Sequence, residues 1–412
     1  MKNTSKFYVE KHLSFLDRVI YLLFIPFFIW SFLGGWRQQI HGVVSDHIAS
    51  GLALLGCFAI IIRQRSMPKL YIEISIIYLL FIVIALFSFL TAEWNYSIYA
   101  IVPSASYFYI TIGLSIFFRG RPTLFFRTVM FAVIFSGIFI FFAYMTLGMS
   151  SWGRITIPYY ANGEFAYFSD LYSDFTDPNL LAYYLGFGVL SMIFFNNHRL
   201  SLPCICLVGF ALTLTLSRSA IAGVAFSFFV MFLAQPLRWI SWLKMRKFFI
   251  FIITPVAFLC AYLFLDLSPI YEMIGERIYG EISNSDRIDR LIFAINLLED
   301  SGFYFFTGRG VGYSSEMLDP HNFYLSTVID TGFLSVALLL LILFFLFYKI
   351  ASHGNKDITA AAAVFISFFI FISLFYWQVR TYYFVVLLLL VLENFARISW
   401  YKSCHAKISA PV

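Results

Sequence analysis

A chain of 412 residues that is 61% hydrophobic, 21% aromatic and only 12% charged, with a mean hydropathy of +0.84, carries more apolar surface than a water-soluble core can hide. Uncharged runs of roughly 20 residues recur, the length a helix needs to cross the hydrocarbon of a bilayer, so the composition excludes a soluble enzyme and predicts an all-α polytopic membrane protein. The net charge of +6 implies no nucleic-acid partner, because a cytoplasmic rim rich in Lys and Arg produces the same balance.

About twelve transmembrane helices are expected, centred near Phe24, Leu54, Leu80, Phe108, Phe135, Gly186, Val208, Phe226, Pro255, Leu338, Phe368 and Leu388. They form one membrane domain over residues 1–412 with two large external loops, 149–178 and 268–322. The first span follows a basic N-terminus without a small-residue cleavage site, so it is expected to be retained. Spans seven and eight, 202–216 and 220–234, are nearly fused, with only Ser217-Arg218-Ser219 between the cores. Cys57, Cys204, Cys206 and Cys260 lie in apolar runs and Cys404 in the basic tail. Neither a disulfide framework nor a metal site is indicated.

Placing both termini in the cytoplasm leaves only Arg37, Arg154, Arg218, Arg277, Arg287, Arg290, Arg309 and Arg380 outside. That is the asymmetry the positive-inside rule requires. Every lysine then falls inside, so every external cation is an arginine. The rule treats the two residues alike and does not explain this. A guanidinium presents a planar fork matched to phosphate or carboxylate oxygens and keeps its charge in a poorly hydrated site. Chance and ordinary pairing with external acids are the bland alternative.

In the loop 149–178, Glu164, Asp170, Asp174 and Asp177 alternate with Tyr159, Tyr160, Phe165, Tyr167, Phe168, Tyr172 and Phe175. Aromatic faces for sugar C–H surfaces and carboxylates for hydroxyls are what a carbohydrate site needs. An interfacial aromatic belt has the same composition. Asp177-Pro178-Asn179 reads as the entry to span six, with proline in the first helical turn. Arg218, where span seven turns into span eight, is expensive at a hydrocarbon boundary unless it snorkels or meets an anion. Arg380, between the last two spans, has the same placement and a weaker case.

The polar stretch 283–332 is where the rest of the chain's chemistry concentrates. Ile288, Leu291, Ile292, Ile295 and Leu298 fall at helical spacing, and Ser283 with Asp286 resembles a capping box. Arg287 and Arg290, three apart, share the opposite face. The spacing predicts an amphipathic helix lying on the outer surface with two guanidinium groups on its polar side. A solvated face paired with Asp286 and Asp289 fits the same pattern. Gly308, Gly310 and Gly312 could let backbone N–H groups approach phosphate, although a plain turn explains them as well. His321, beside Asn322 and after Asp319-Pro320, is the only histidine inside a long polar loop; an interfacial histidine without chemistry is its alternative.

Asp177-Pro178-Asn179 with Leu181-Ala182, then Thr215-Leu216-Ser217-Arg218-Ser219-Ala220, then Arg287 opening an amphipathic helix, resemble the O-antigen polymerase/ligase superfamily. Gly308-Arg309-Gly310-Val311-Gly312 and His321-Asn322-x-x-Leu325 with Gly332 continue the likeness, which covers roughly residues 150–340. The aromatic residue usual four positions after the helix arginine is Leu291 here. The resemblance implies a metal-independent, inverting glycosyltransferase without cofactor, in a bacterial inner membrane. Its active face would be periplasmic, and both donor and acceptor would be undecaprenyl-diphosphate-linked oligosaccharides. Arg218, Arg287 and His321 would be catalytic, with Arg290, Arg309, Arg380, Asp177, Asn179 and Asn322 on the substrate. A polymerase of repeat units, with a chain-length regulator as a further partner, is favoured over a ligase to lipid A-core by the aromatic, acidic loop. A lipid-linked sugar flippase is the alternative of another class, but such proteins bury charges in mid-span, and here the span centres are almost charge-free.

Overall fold

The computed structural model describes residues 13–32, 39–40, 43–63, 67–91, 101–147, 159–161, 164–166, 178–195, 201–215, 217–234, 285–311, 313–314, 322–374 and 379–408. Its helices are α1 (Phe15–Phe32), α2 (Ser45–Arg63), α3 (Lys69–Thr91), α4 (Ile101–Phe117), α5 (Pro122–Leu147), α6 (Pro178–Phe195) and α7 (Ser201–Leu214). They continue as α8 (Arg218–Ala234), α9 (Ser285–Glu299), α10 (Tyr304–Thr307), α11 (Phe323–Thr331), α12 (Phe333–Ser352), α13 (Lys356–Ser373) and α14 (Val379–Ile408). Eleven of the twelve expected centres fall inside a described helix; the one near Pro255 lies outside the described residues. Among the described residues, five helices are long and apolar enough to cross a membrane: those within α3, α5, α12, α13 and α14. The protein is thus a helical membrane protein. Two short antiparallel ribbons depart from an all-α reading. Gln39–Ile40 pairs with Val43–Val44, and Tyr159–Ala161 pairs with Glu164–Ala166 inside the loop 149–178.

The helices alternate in direction, and side-chain ties at each end fix the register. At one end Asp17 begins α1 with a reciprocal cap: Ser14 N–H donates to its carboxylate at 3.1 Å, and its own N–H donates to Ser14 Oγ at 3.2 Å. The same carboxylate accepts from Arg63 at the end of α2 (2.7 Å) and from Arg121 just before α5 (2.8 Å). At that end, too, Asn394 of α14 donates to Tyr71 Oη of α3, and Asn355, capping α13, donates to Ser399 of α14. This is the basic end. At the opposite end Ser88 of α3 meets Asp330, Tyr183 of α6 meets Ser219 of α8, and Asn322 meets Leu374. Arg218, Arg287, Arg290, Arg309 and Arg380 all belong to helices or turns at this opposite end.

α14 and α6 form the core. From Tyr382 to Glu393 and from Leu180 to Met192 every residue is buried, as expected of helices surrounded by other helices. α3 instead packs on α12 and α4 along one side and exposes Ile72, Ile76, Leu79, Leu80 and Val83 on the other, a face suited to lipid. Polar side chains tie the core across helices, as is usual where lipid offers no hydrophobic contrast. The hydroxyls of Tyr78, Ser104 and Tyr383 close a triangle with sides of 3.1, 2.6 and 3.1 Å between α3, α4 and α14.

Candidate functional site at the end opposite the basic cluster

The site is built on a crossing of two backbones. After α9 the chain turns through 300–303, makes the single turn α10, and runs as Gly308-Arg309-Gly310 across the C-terminal end of α11. Arg309 N–H donates to Ile329 O at 2.7 Å and Gly310 N–H to Asp330 O at 3.0 Å. Gly308 has φ 77°, and a Cβ there would run into the Asp330 carbonyl; Gly332 has φ 84°, and a Cβ would run into the Phe306 carbonyl. Both glycines are therefore required by close approach as well as by conformation. Ser88 braces the crossing from α3: its hydroxyl donates to Asp330 O (2.6 Å) and accepts from Gly310 N–H (3.1 Å). The buried Asp330 carboxylate accepts the N–H of Ser314 at 2.8 Å.

Of the two readings of the glycine run, this geometry favours the plain turn over a backbone cradle for phosphate. The N–H groups of Arg309 and Gly310 are spent on Ile329, Asp330 and Ser88, so they cannot face an anion; Gly312 lies outside the described residues. The glycines serve packing.

What the crossing presents is the Arg309 side chain. Its guanidinium lies 5.1 Å from the Tyr304 ring centroid and 5.8 Å from that of Tyr313, attracted by both π faces. It is half-buried, and among the described residues no carboxylate forms an ion pair with it. Tyr313 also joins Ala294 and Ile329 in a small buried cluster with Leu297 and Leu298 packed on it, which docks α9 against α11. At about 100° per residue, Arg290 lies on the same side of α9 as Ala294. Arg290 is half-buried there.

Arg218 is the first residue of α8, following buried Ser217, whose carbonyl accepts from Ile221 N–H at 3.1 Å. Ser219 lies 3.0 Å from Tyr183 Oη, and Asn179 is half-buried one turn before Tyr183 on α6. Arg218 and Asn179 thus share one corner of the bundle. The last turns of α13 separate this corner from the Arg309 crossing: Phe226 of α8 stacks on Phe371 at 5.3 Å, while Asn322 Nδ2 donates to Leu374 O at 3.1 Å. Arg380, in the first turn of α14, follows on from there. The side chains of Arg218, Arg287 and Arg380 lie outside the described residues, as do Asp177 and His321 altogether.

Asn322, expected on the substrate, has its oxygen occupied structurally. It is the N-cap of α11 and accepts from the N–H groups of Tyr324 (3.0 Å) and Leu325 (3.1 Å). Its role in this structure is to start α11 and tie it to α13. Sequence reasoning missed Ser88, Tyr304 and Tyr313. Ser88 sits in an apolar span with nothing to mark it, whereas two tyrosines flanking the only arginine between 291 and 379 were a readable signal. No protein-family model matches the chain, and no curated protein matches it either.

Proposed function

We propose that the protein is a membrane glycosyltransferase that polymerises undecaprenyl-diphosphate-linked oligosaccharide repeat units of O-antigen or a related surface polysaccharide, working at the periplasmic face. The observation that supports this reading is Arg309, set against two tyrosine rings with no carboxylate partner among the described residues, at the end of the bundle whose helices and turns also carry Arg218, Arg287, Arg290 and Arg380. Paired surface arginines are commonplace. One that lies against two rings, half-buried and without an acid partner among the described residues, is suited to receive an anion from outside the protein.

The proposed chemistry follows from the bond to be broken. The acceptor sugar hydroxyl attacks the anomeric carbon in line, and the C–O bond to the lipid diphosphate breaks with inversion. Negative charge then builds on the phosphate oxygens, where preorganised guanidinium groups lower the barrier most. Arg218 and Arg287 are assigned to that clamp, with Arg290, Arg309 and Arg380 around it. His321 takes the hydroxyl proton, an imidazole being suited to that exchange near neutral pH. The diphosphate is itself the activated leaving group, so no nucleotide is consumed.

Deleting the gene and separating the surface polysaccharide on a gel tests the assignment. Polymerase loss leaves caps of one repeat unit. Intact polymer left on the carrier points to a ligase instead, and an unchanged ladder removes the protein from this pathway.

A further inference from the structure

We propose that α9 and α10 form a shelf seated on the outer leaflet of the bilayer, with Phe303 and Phe306 inserted at the boundary between headgroups and acyl chains. Three observations converge on it. First, α9 has three sides. Ala294 and Leu297 face α11; Leu291, Ile292 and Ile295 are exposed on one flank, with Glu299 at its end; and Asp289 and Asn296 are exposed on the other, beside Phe293. A helix docked on a bundle with one mainly apolar and one mainly polar flank is shaped for a surface with oil on one side and water on the other.

Second, the turn that follows leaves Phe303 and Phe306 64% and 60% exposed, a placement that water would penalise. Third, this apolar surface is continuous with one that meets lipid. The Phe305 ring stacks on Phe333 at 5.4 Å, 13° from parallel. Phe333 opens α12, a helix long and apolar enough to span, whose exposed residues include Leu334, Leu341 and Phe344. The occupant is therefore the lipid that already covers α12. A consequence is that Arg309, three residues beyond Phe306, is held level with the lipid headgroups. The inference rests on membrane embedding and, for the choice of leaflet, on the proposed orientation; it stands apart from the proposed chemistry.

The test replaces Phe303 or Phe306 with the photoreactive analogue p-benzoylphenylalanine in the full chain, reconstituted in vesicles of phosphatidylethanolamine and phosphatidylglycerol. Leu341 serves as the lipid-facing reference and Leu339, buried, as the protein-facing one. After irradiation, intact-mass analysis should show phospholipid adducts at positions 303, 306 and 341 and none at 339. Absence of lipid adducts at 303 and 306 while 341 is labelled would overturn the proposal. Crosslinks at 303 or 306 to a second copy of the chain would overturn it too, assigning the surface to self-association.

Discussion

Arg309→Lys separates the fork of the guanidinium from its charge. The lysine keeps a cation near the same place, but it loses the planar donor array and most of the stacking between Tyr304 and Tyr313. If Arg309 meets charge that develops on a leaving phosphate, losing such a donor costs on the order of 10²–10³ in rate. The rings contribute separately. A cation over an exposed ring is worth about 0.5–1 kcal/mol and over a desolvated one about 2 kcal/mol, so Tyr304→Leu should slow transfer only about two- to fivefold and the buried Tyr313→Leu about thirtyfold. Leucine at 313 also keeps apolar volume against Ala294 and Ile329. Arg218→Lys and Arg287→Lys should fall with Arg309→Lys, while Arg37→Lys and Arg154→Lys should stay mild. The assay is the initial rate of chain elongation by purified protein in lipid, normalised to folded protein by size exclusion. The reasoning is refuted if Arg309→Lys keeps near-normal rate, or if Tyr304→Leu is as damaging as the arginine variant, since a scaffold role would then explain both.

Three further outcomes follow from the fold. Asp17→Ala strands Arg121, whose side chain is only 11% exposed, and should cost about 3–5 kcal/mol of stability. Arg63→Ala, at a 52% exposed partner, should cost about 0.2–1 kcal/mol, and equal losses in a thermal melt in detergent would contradict the ranking. Gly332→Ala forces a side chain into a glycine-only region at φ 84° and ψ 164°, about 1–3 kcal/mol before any clash; a melt unchanged from wild type would mean the α11–α12 corner relaxes freely. Reporter fusions after Arg65, Arg121 and Arg246 should report cytoplasm, and fusions near Tyr160 and Tyr313 periplasm; a cytoplasmic signal near Tyr313 would remove the site from the outer face.

The positions of the helices were readable because a bilayer asks only for length and apolarity. Which face each one buries was not. α3 and α14 are similar apolar runs, yet one exposes Ile72, Ile76 and Leu79 while the other is buried from Tyr382 onward. With lipid on one side and protein on the other, no polar contrast writes that difference into the residues. α9 was readable for the converse reason: polar residues such as Asp289 and Asn296 interrupt its apolar ones, so Leu291, Ile292 and Ile295 stand out. Its docking contact through Ala294 was missed, because a small residue in a close contact leaves no periodic mark. Ser14 and Asp17 show a capping pattern, but the arginines that meet Asp17 lie 46 and 104 positions away. The brace from Ser88 reaches residues 222 and 242 positions on. Single polar residues in apolar spans acquire partners only through the fold.

The central claim is transfer of a sugar from a lipid diphosphate with His321 as base. The most direct measurement uses the full chain in lipid with a synthetic diphosphate-linked donor, scoring donor affinity and product separately across pH for wild type and His321→Ala. Wild type should make product without nucleotide, with a rate that falls as pH drops below about 6.5, where an unperturbed imidazole protonates. His321→Ala should bind donor nearly as well and make no product. Joint loss of binding and transfer would instead make His321 a diphosphate ligand. No product from wild type, or full transfer by His321→Ala with an unchanged pH profile, would contradict the account.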